Sequence, residues 1–295
     1  MLRVAVPNKG SLAEPASRML REAGYRQRSH ARELVLTDPE NETEFFFLRP
    51  RDIATYVGSG QLDIGITGRD LLLDSAADAH ELMPLGFGAS TFRFAALSDA
   101  VAAVADINGM RVATSYPGLV AQHLSDLGVT ASVIRLDGAV ETSVRLGVAD
   151  VIADVVETGS TLRQAGLQVF GDPILRSEAV LIRGNGASAG IAKDDRDERA
   201  PTLDAAIDQM QRRLNGVMVA ATYVIVDYDV PSALVEKACA ITPGIESPTI
   251  SPLHDATWVA VRALVPRAET NQVMDELYEL GARGILVTDI HACRL

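Results

Sequence analysis

Cysteine is almost missing from this chain: Cys239 and Cys293 are the two it has in 295 residues. Two thiols that far apart give no disulfide framework and no zinc-ligand spacing, which suits a reducing cytoplasm. Long apolar runs are also lacking. The longest, residues 217–226, falls well short of the ~20 residues that a membrane-spanning helix needs. Arg3 and Lys9 stand near the start with no apolar stretch leading to a cleavage site, so no export leader is expected. An excess of basic residues is missing too: 27 Lys and Arg face 39 Asp and Glu, a net charge of −12. A nucleic-acid surface, which needs a basic patch, is excluded. Small anionic ligands are not excluded, because a few local cations and helix N-termini suffice for them. What is present is ordinary for a soluble globular protein: 47% hydrophobic and 22% charged residues. The length predicts two or three domains rather than one core.

The most informative stretch is 135–162, RLDGAVETSVRLGVADVIADVVETGSTL. Residues 151–156 form an apolar, β-branched run of strand length, broken by one acid, Asp154. Glu157, Thr158, Gly159, Ser160 and Thr161 follow at once, and a short helix is predicted over 162–167. A strand, a small-residue turn and a helix start present free backbone N–H groups and the positive end of a helix dipole. A phosphate fits there without a lysine. Gly159 lets the backbone approach the anion, and the hydroxyls of Thr158, Ser160 and Thr161 add donors. Such a turn is often no more than a turn with an N-cap. The acid argues for more, since an unpaired buried carboxylate is costly. Asp154 suits the hydroxyls of a sugar or a magnesium ion, and Glu141 lies upstream on a helix predicted over 140–149. Phosphate donors beside hydroxyl acceptors point to a phosphorylated sugar.

The remaining candidates share one placement. A first strand, 2–6, runs into Pro7-Asn8-Lys9-Gly10-Ser11 before a helix at 12–23. Strands at 35–36 and 45–48 lead to Arg49-Pro50-Arg51-Asp52, where arginines suit phosphate. The strand 62–67 leads to Gly68-Arg69-Asp70, and the strand 112–114 leads to Ser115-Tyr116-Pro117-Gly118, with Tyr116 placed to stack on a base. Strands alternating with helices imply parallel βαβ units. Ligands of such sheets sit beyond the carboxyl ends of strands, which is where Lys9, Arg49, Asp70 and Thr158 all fall. Extended crossings near Phe92 and Glu178 predict two lobes with a cleft between them: 1–92 with 180–216, and 93–179. Residues 184–201 read as an exposed loop and 202–214 as a helix. From 217 the predicted order becomes βαββαβ, a ferredoxin-like unit over 217–295 that begins with a strand at 217–226.

Glu141, Gly147, Ala149-Asp150, Asp154-Val155, Thr158-Gly159 and Thr161-Leu162 resemble, in residue and spacing, the signature of the ATP phosphoribosyltransferases. That family performs the first step of histidine biosynthesis. PNKGSL, FFLRPRD, DIGITGRDLL and SPTISPL extend the resemblance over the whole chain, and the length is similar to the family's long form. The diphosphate-sugar motif of the other large phosphoribosyltransferase class carries two adjacent acids, and here Ala153 takes the place of one. The resemblance implies an α/β fold of two lobes like periplasmic binding proteins plus a C-terminal ferredoxin-like regulatory domain. It implies transfer of the phosphoribosyl group of phosphoribosyl diphosphate to N1 of ATP. Glu157 to Thr161 would hold the 5-phosphate, and Asp154 and Glu141 the ribose hydroxyls. Lys9, Arg49 and Mg2+ carried by the substrates would neutralise the diphosphate, while Gly10, Asp70 and Tyr116 would face ATP. The family also implies feedback inhibition by histidine, with Asp229, Ser247, Thr249 and Gly284 as pocket candidates by placement, and homodimers shifting to homohexamers. Its short form needs a partner protein, which this chain would not. Two other classes stay open: a non-enzymatic two-lobed binding protein, and a sensor built on the C-terminal unit.

Overall fold

The computed structural model describes residues 1–30, 32–97, 101–156, 159–185 and 193–294, with backbone alone over 193–201. The chain divides into two compact units, Met1–Gln209 and Met210–Leu295.

The first unit is two α/β lobes. In the first lobe, β1 (Leu2–Pro7) is followed by α1 (Ala13–Glu22), β2 (Val35–Asp38), β3 (Thr43–Leu48), α2 (Pro50–Gly58), β4 (Ile64–Gly68), α3 (Arg69–Ser75) and β5 (Ala79–Pro84). The second lobe holds β6 (Ser90–Leu97), β7 (Arg111–Thr114), α4 (Pro117–Asp126), β8 (Ser132–Arg135), α5 (Thr142–Arg145), β9 (Val151–Val156), α6 (Ser160–Gln164) and β10 (Leu167–Ser177). The chain then returns to the first lobe as β11 (Ala179–Gly184). The sheet orders are β2-β3-β1-β4-β11-β5 and β10-β6-β9-β7-β8. Two crossings join the lobes, at 85–89 and at Glu178. This is the two-lobed arrangement of periplasmic binding proteins.

Part of each sheet is parallel. β3, β1 and β4 run parallel in one lobe, and β9, β7 and β8 in the other. Packing follows from the sequence's short aliphatic runs. Ala5, Ile53, Ala54, Val57, Val180 and Ile182 fill the face under α2 with no exposed surface. There Gly65 has a packing role, because a β-carbon on it would stand 2.6 Å from Ile53 Cγ2.

α7 (Lys193–Thr222) carries the chain into the second unit. That unit runs β12 (Tyr223–Pro231), α8 (Val235–Ile241), β13 (Thr249–Pro252), β14 (Trp258–Pro266), α9 (Thr270–Leu280) and β15 (Arg283–Asp289). Its sheet order, β13-β14-β12-β15, with antiparallel neighbours, is ferredoxin-like. β12 alternates strictly, burying Val224, Val226, Tyr228 and Val230 against α8 and α9. Gly281, at φ +113, ends α9 where its sequence places the stop.

Several local expectations are corrected. The strand read over 217–226 is helix as far as Thr222, because the Val-Met-Val-Ala-Ala run suits either period and α7 absorbs it. The loop read over 184–201 is helical from Lys193, and 186–192 lie outside the described residues. The helix read over 140–149 shrinks to the four residues of α5, and Gly147 adopts φ +71 just after it. Strands β5 and β10 were not anticipated. In β10 the turn-like Gly171-Asp172-Pro173 is a bulge, with the register slipping between Phe170 and Leu175.

Candidate active site

Four of the predicted residues line a cleft between the two lobes of the first unit. Lys9 and Gly10 follow β1, Asp70 opens α3 after β4, and Tyr116 precedes α4 after β7. Together with Pro50, Gly88, Val155 and Ser177 they line a cleft of about 160 Å³. Gly10 takes φ +78, which fits glycine to the tight turn beyond β1. A second hollow, about 420 Å³, adjoins it through Ser90, Ser177 and Glu178 and reaches Arg69, Arg176 and Val156.

Asp154 lies near the end of β9, beside this cleft. Burial pushes its carboxyl up to about 6, and the nearby Glu141 and Asp70 carboxylates push the same way. The Val155 N–H, which donates to Asp154 Oδ1 at 2.8 Å, and the Arg51 guanidinium oppose the rise. So the Glu141 and Asp70 carboxylates lie near enough to Asp154 for their charge to act on it, although Asp70 comes from the other lobe. Gly159, at φ +69, is the N-cap of α6, and Ser160 and Thr161 open that helix just beyond Val156. Glu157 and Thr158 lie outside the described residues. No group of three or more His, Cys, Asp or Glu side chains placed to hold a metal ion occurs among the described residues.

Asp70 is held from the crossing strand. Ser177 Oγ donates to its Oδ1 at 2.8 Å and accepts its backbone N–H at 3.1 Å. Arg69 is locked by Glu81 through two bonds of 2.8 Å and by Glu178 at 3.3 Å, and these partners hold its guanidinium firmly protonated. Tyr116 is packed within the protein. Its ring takes the edge of Phe92, centroids 5.1 Å apart, and Arg51 lies over it at 4.8 Å. Burial and the adjacent Asp70 carboxylate push its hydroxyl well above the usual tyrosine range.

Of the two arginines around Pro50, Arg49 is exposed at the N-cap of α2 and does not line the cleft. Arg51 does not line it either, but it is bonded to Asp74 at 2.9 Å and lies over the ring of Tyr116, which does. The FFLRPRD string held this residue, but nothing in it told Arg51 from Arg49. Ser177 and Glu178 were missed because β10 itself was missed. In the second unit, Ser247 and Thr249 line a pocket of about 290 Å³ with Ile225, Glu246 and Arg262. Asp229 and Gly284 do not line it. They sit together on β12 and β15, with a β-carbon on Gly284 falling 3.5 Å from Asp229 Oδ2.

A sequence model of the family described as ATP phosphoribosyltransferase matches residues 49–216, and one described as HisG, C-terminal domain, matches 220–292. The chain belongs to the ATP phosphoribosyltransferase family. It is 63% identical, over the whole of both chains, to the ATP phosphoribosyltransferase of Pseudarthrobacter chlorophenolicus. Over the same full coverage it is 61% identical to that of Streptomyces coelicolor and 55% to that of Bifidobacterium longum. A solved ATP phosphoribosyl transferase (HisG:HisZ) complex from Thermotoga maritima shares the fold, with a TM-score of 0.59 at 23% identity over 73% of this chain and 99% of that one. With both regions present the chain has the family's long form, and it is a transferase. No helix among the described residues is long and apolar enough to cross a membrane.

Proposed function

We propose that the cleft joins N1 of the adenine of ATP to C1 of phosphoribosyl diphosphate and releases pyrophosphate. The observation that supports this most is the half-buried Asp154 carboxyl, raised by its burial and by the nearby Glu141 and Asp70 carboxylates, at the end of β9 before the Gly159–Thr161 turn. One bond forms, N1 to C1, and one breaks, C1 to the diphosphate oxygen, whose electron pair leaves with pyrophosphate. As at a glycosidic bond, positive charge develops at the anomeric carbon. Such a step needs held reactants and fixed charges more than a covalent nucleophile.

In this reading Asp154 and Glu141 accept from the ribose hydroxyls, and their negative charge favours the developing cation. Glu157, Thr158, Gly159, Ser160 and Thr161 hold the 5-phosphate. Lys9 neutralises the leaving diphosphate, with Arg51 a nearer second cation than Arg49. Gly10, Asp70 and Tyr116 face the nucleotide. Magnesium travels on the phosphates of the substrates and supplies charge neutralisation there.

The second unit is the regulatory one. Ser247 and Thr249 supply hydroxyls to a pocket for histidine, and Asp229 with Gly284 is a neighbouring candidate for its amino group. Inhibition by histidine, assembly into homodimers and homohexamers, and a cytoplasmic location complete the proposal. The test follows adenine absorbance with ATP, phosphoribosyl diphosphate, magnesium and pyrophosphatase, with and without histidine. Product that histidine suppresses fits both parts. Product indifferent to histidine removes the regulatory part, and no turnover removes the whole.

A further inference from the structure

One short helix of the first lobe grips the second lobe's chain at both of its ends. At its start, α3 is tied to the crossing strand by the Asp70–Ser177 bonds and by Arg69, which donates to the Arg176 carbonyl at 3.3 Å. At its end, Asp74 reaches α4 of the second lobe. Its Oδ1 accepts the N–H of Gly118 at 2.9 Å and of Leu119 at 3.2 Å. Its Oδ2 accepts Arg51 Nη1 at 2.9 Å, and its side chain is only 9% exposed.

A helix start leaves four N–H groups without partners, and the residue just before it usually supplies the cap. In α4 that position is Tyr116, which makes no capping bond. The cap comes instead from Asp74, across the cleft. A carboxylate suits the place, because the helix dipole favours negative charge there. Parting the lobes would strip α4 of its cap and leave Asp74 with Arg51 alone. The same Arg51 lies over the Tyr116 ring, so the cap and the cleft wall share a residue.

We propose that Asp74 is a positioning residue, a latch that caps α4 from the opposite lobe and holds the cleft closed. Closure sets the first lobe's Lys9 and Asp70 against the second lobe's Asp154 and its turn. This rests on the cleft being the site of phosphoribosyl transfer. Two full-chain variants test it. Asp74→Ala removes the cap and the ion pair, whereas Asp74→Asn keeps an oxygen for the two amides. Charge-assisted bonds of this kind are worth about 10–100-fold in an equilibrium. The expected result is a fall of that size in kcat/KM per folded molecule for Asp74→Ala, recovered only in part in Asp74→Asn, which keeps the amide cap and loses the Arg51 ion pair, with faster hydrogen exchange at the Gly118 and Leu119 amides in Asp74→Ala. Unchanged kcat and KM in Asp74→Ala, or wild-type exchange at both amides, would overturn the proposal. A measurement without variants runs beside it: in the wild type, exchange at these two amides should slow when both substrates are added, and equal exchange with and without them also overturns the latch. An inactive wild type would strike the proposed reaction alone, since amide exchange in Asp74→Ala reads the latch without turnover.

Discussion

Asp154 should be a residue that the fold tolerates rather than needs, and Asp154→Asn measures by how much. Burial beside Glu141 and Asp70 lifts its carboxyl to about 6, from about 3.9 in an unfolded chain. The folded state therefore binds this proton more tightly than the unfolded state does. Stability from this group is fully present below about pH 4 and is lost as pH rises through about 6. A shift of about two units corresponds to about 3 kcal/mol at neutral pH and above. Asn carries no charge and still offers an oxygen to the Val155 N–H. Some of the gain is offset by the new amide donors, so about 1–3 kcal/mol of stabilisation is expected. In a unit of this size that is about 3–10 °C in melting temperature. Thermal melts of the two proteins at pH 8 and pH 4 provide the assay. The variant should melt higher at pH 8, and the difference should vanish near pH 4. A variant less stable at pH 8, or a difference independent of pH, would refute the electrostatic reasoning.

Four further outcomes follow from the same structure. The rate should fall as pH drops through about 6, because the ionised form of Asp154 is the one that favours a cation; Glu141→Gln, which removes a neighbouring charge that raises this pKa, should move the Asp154 titration, followed by carboxyl NMR, to lower pH. Gly65→Ala should destabilise the first unit by about 1–3 kcal/mol in urea melts, since the new methyl meets Ile53 Cγ2 at 2.6 Å and Ala5 and Val57 at 3.1 Å; an unchanged midpoint would mean that the α2 face has slack. Tyr228→Phe should cost the second unit about 1 kcal/mol in the same assay, because the buried hydroxyl is 2.7 Å from Thr242 Oγ1; no loss would mean that Thr242 is satisfied by the Ala238 carbonyl alone.

The lobes and the ferredoxin-like unit were legible because their strands are short apolar runs bounded by glycine and proline, and because α9 carries its stop signal. The loop-after-strand pattern singles out Lys9, Arg49, Asp70 and Thr158, since parallel strands deliver their carboxyl ends to one edge; Lys9 and Asp70 line one cleft, Arg49 does not, and Thr158 lies outside the described residues. Failures came where a local signal serves two structures. The 217–226 run satisfies a helix as well as a strand, and β10 is interrupted by a bulge between Phe170 and Leu175 that breaks up its strand pattern. Arg51, Ser177 and Asp74 were out of reach for another reason. Their importance lies in partners such as Tyr116, Asp70 and Gly118, and no local pattern encodes a contact between separate lobes.

The central claim is that Asp154 and its turn carry the phosphoribosyl group. The most direct test is the rate of phosphoribosyl-ATP formation at pH 8 by the wild type and by Asp154→Asn, both shown to be folded. The account predicts turnover in the wild type and a loss of roughly 100-fold or more in the variant, despite its higher melting temperature. Equal rates in the two proteins would contradict it.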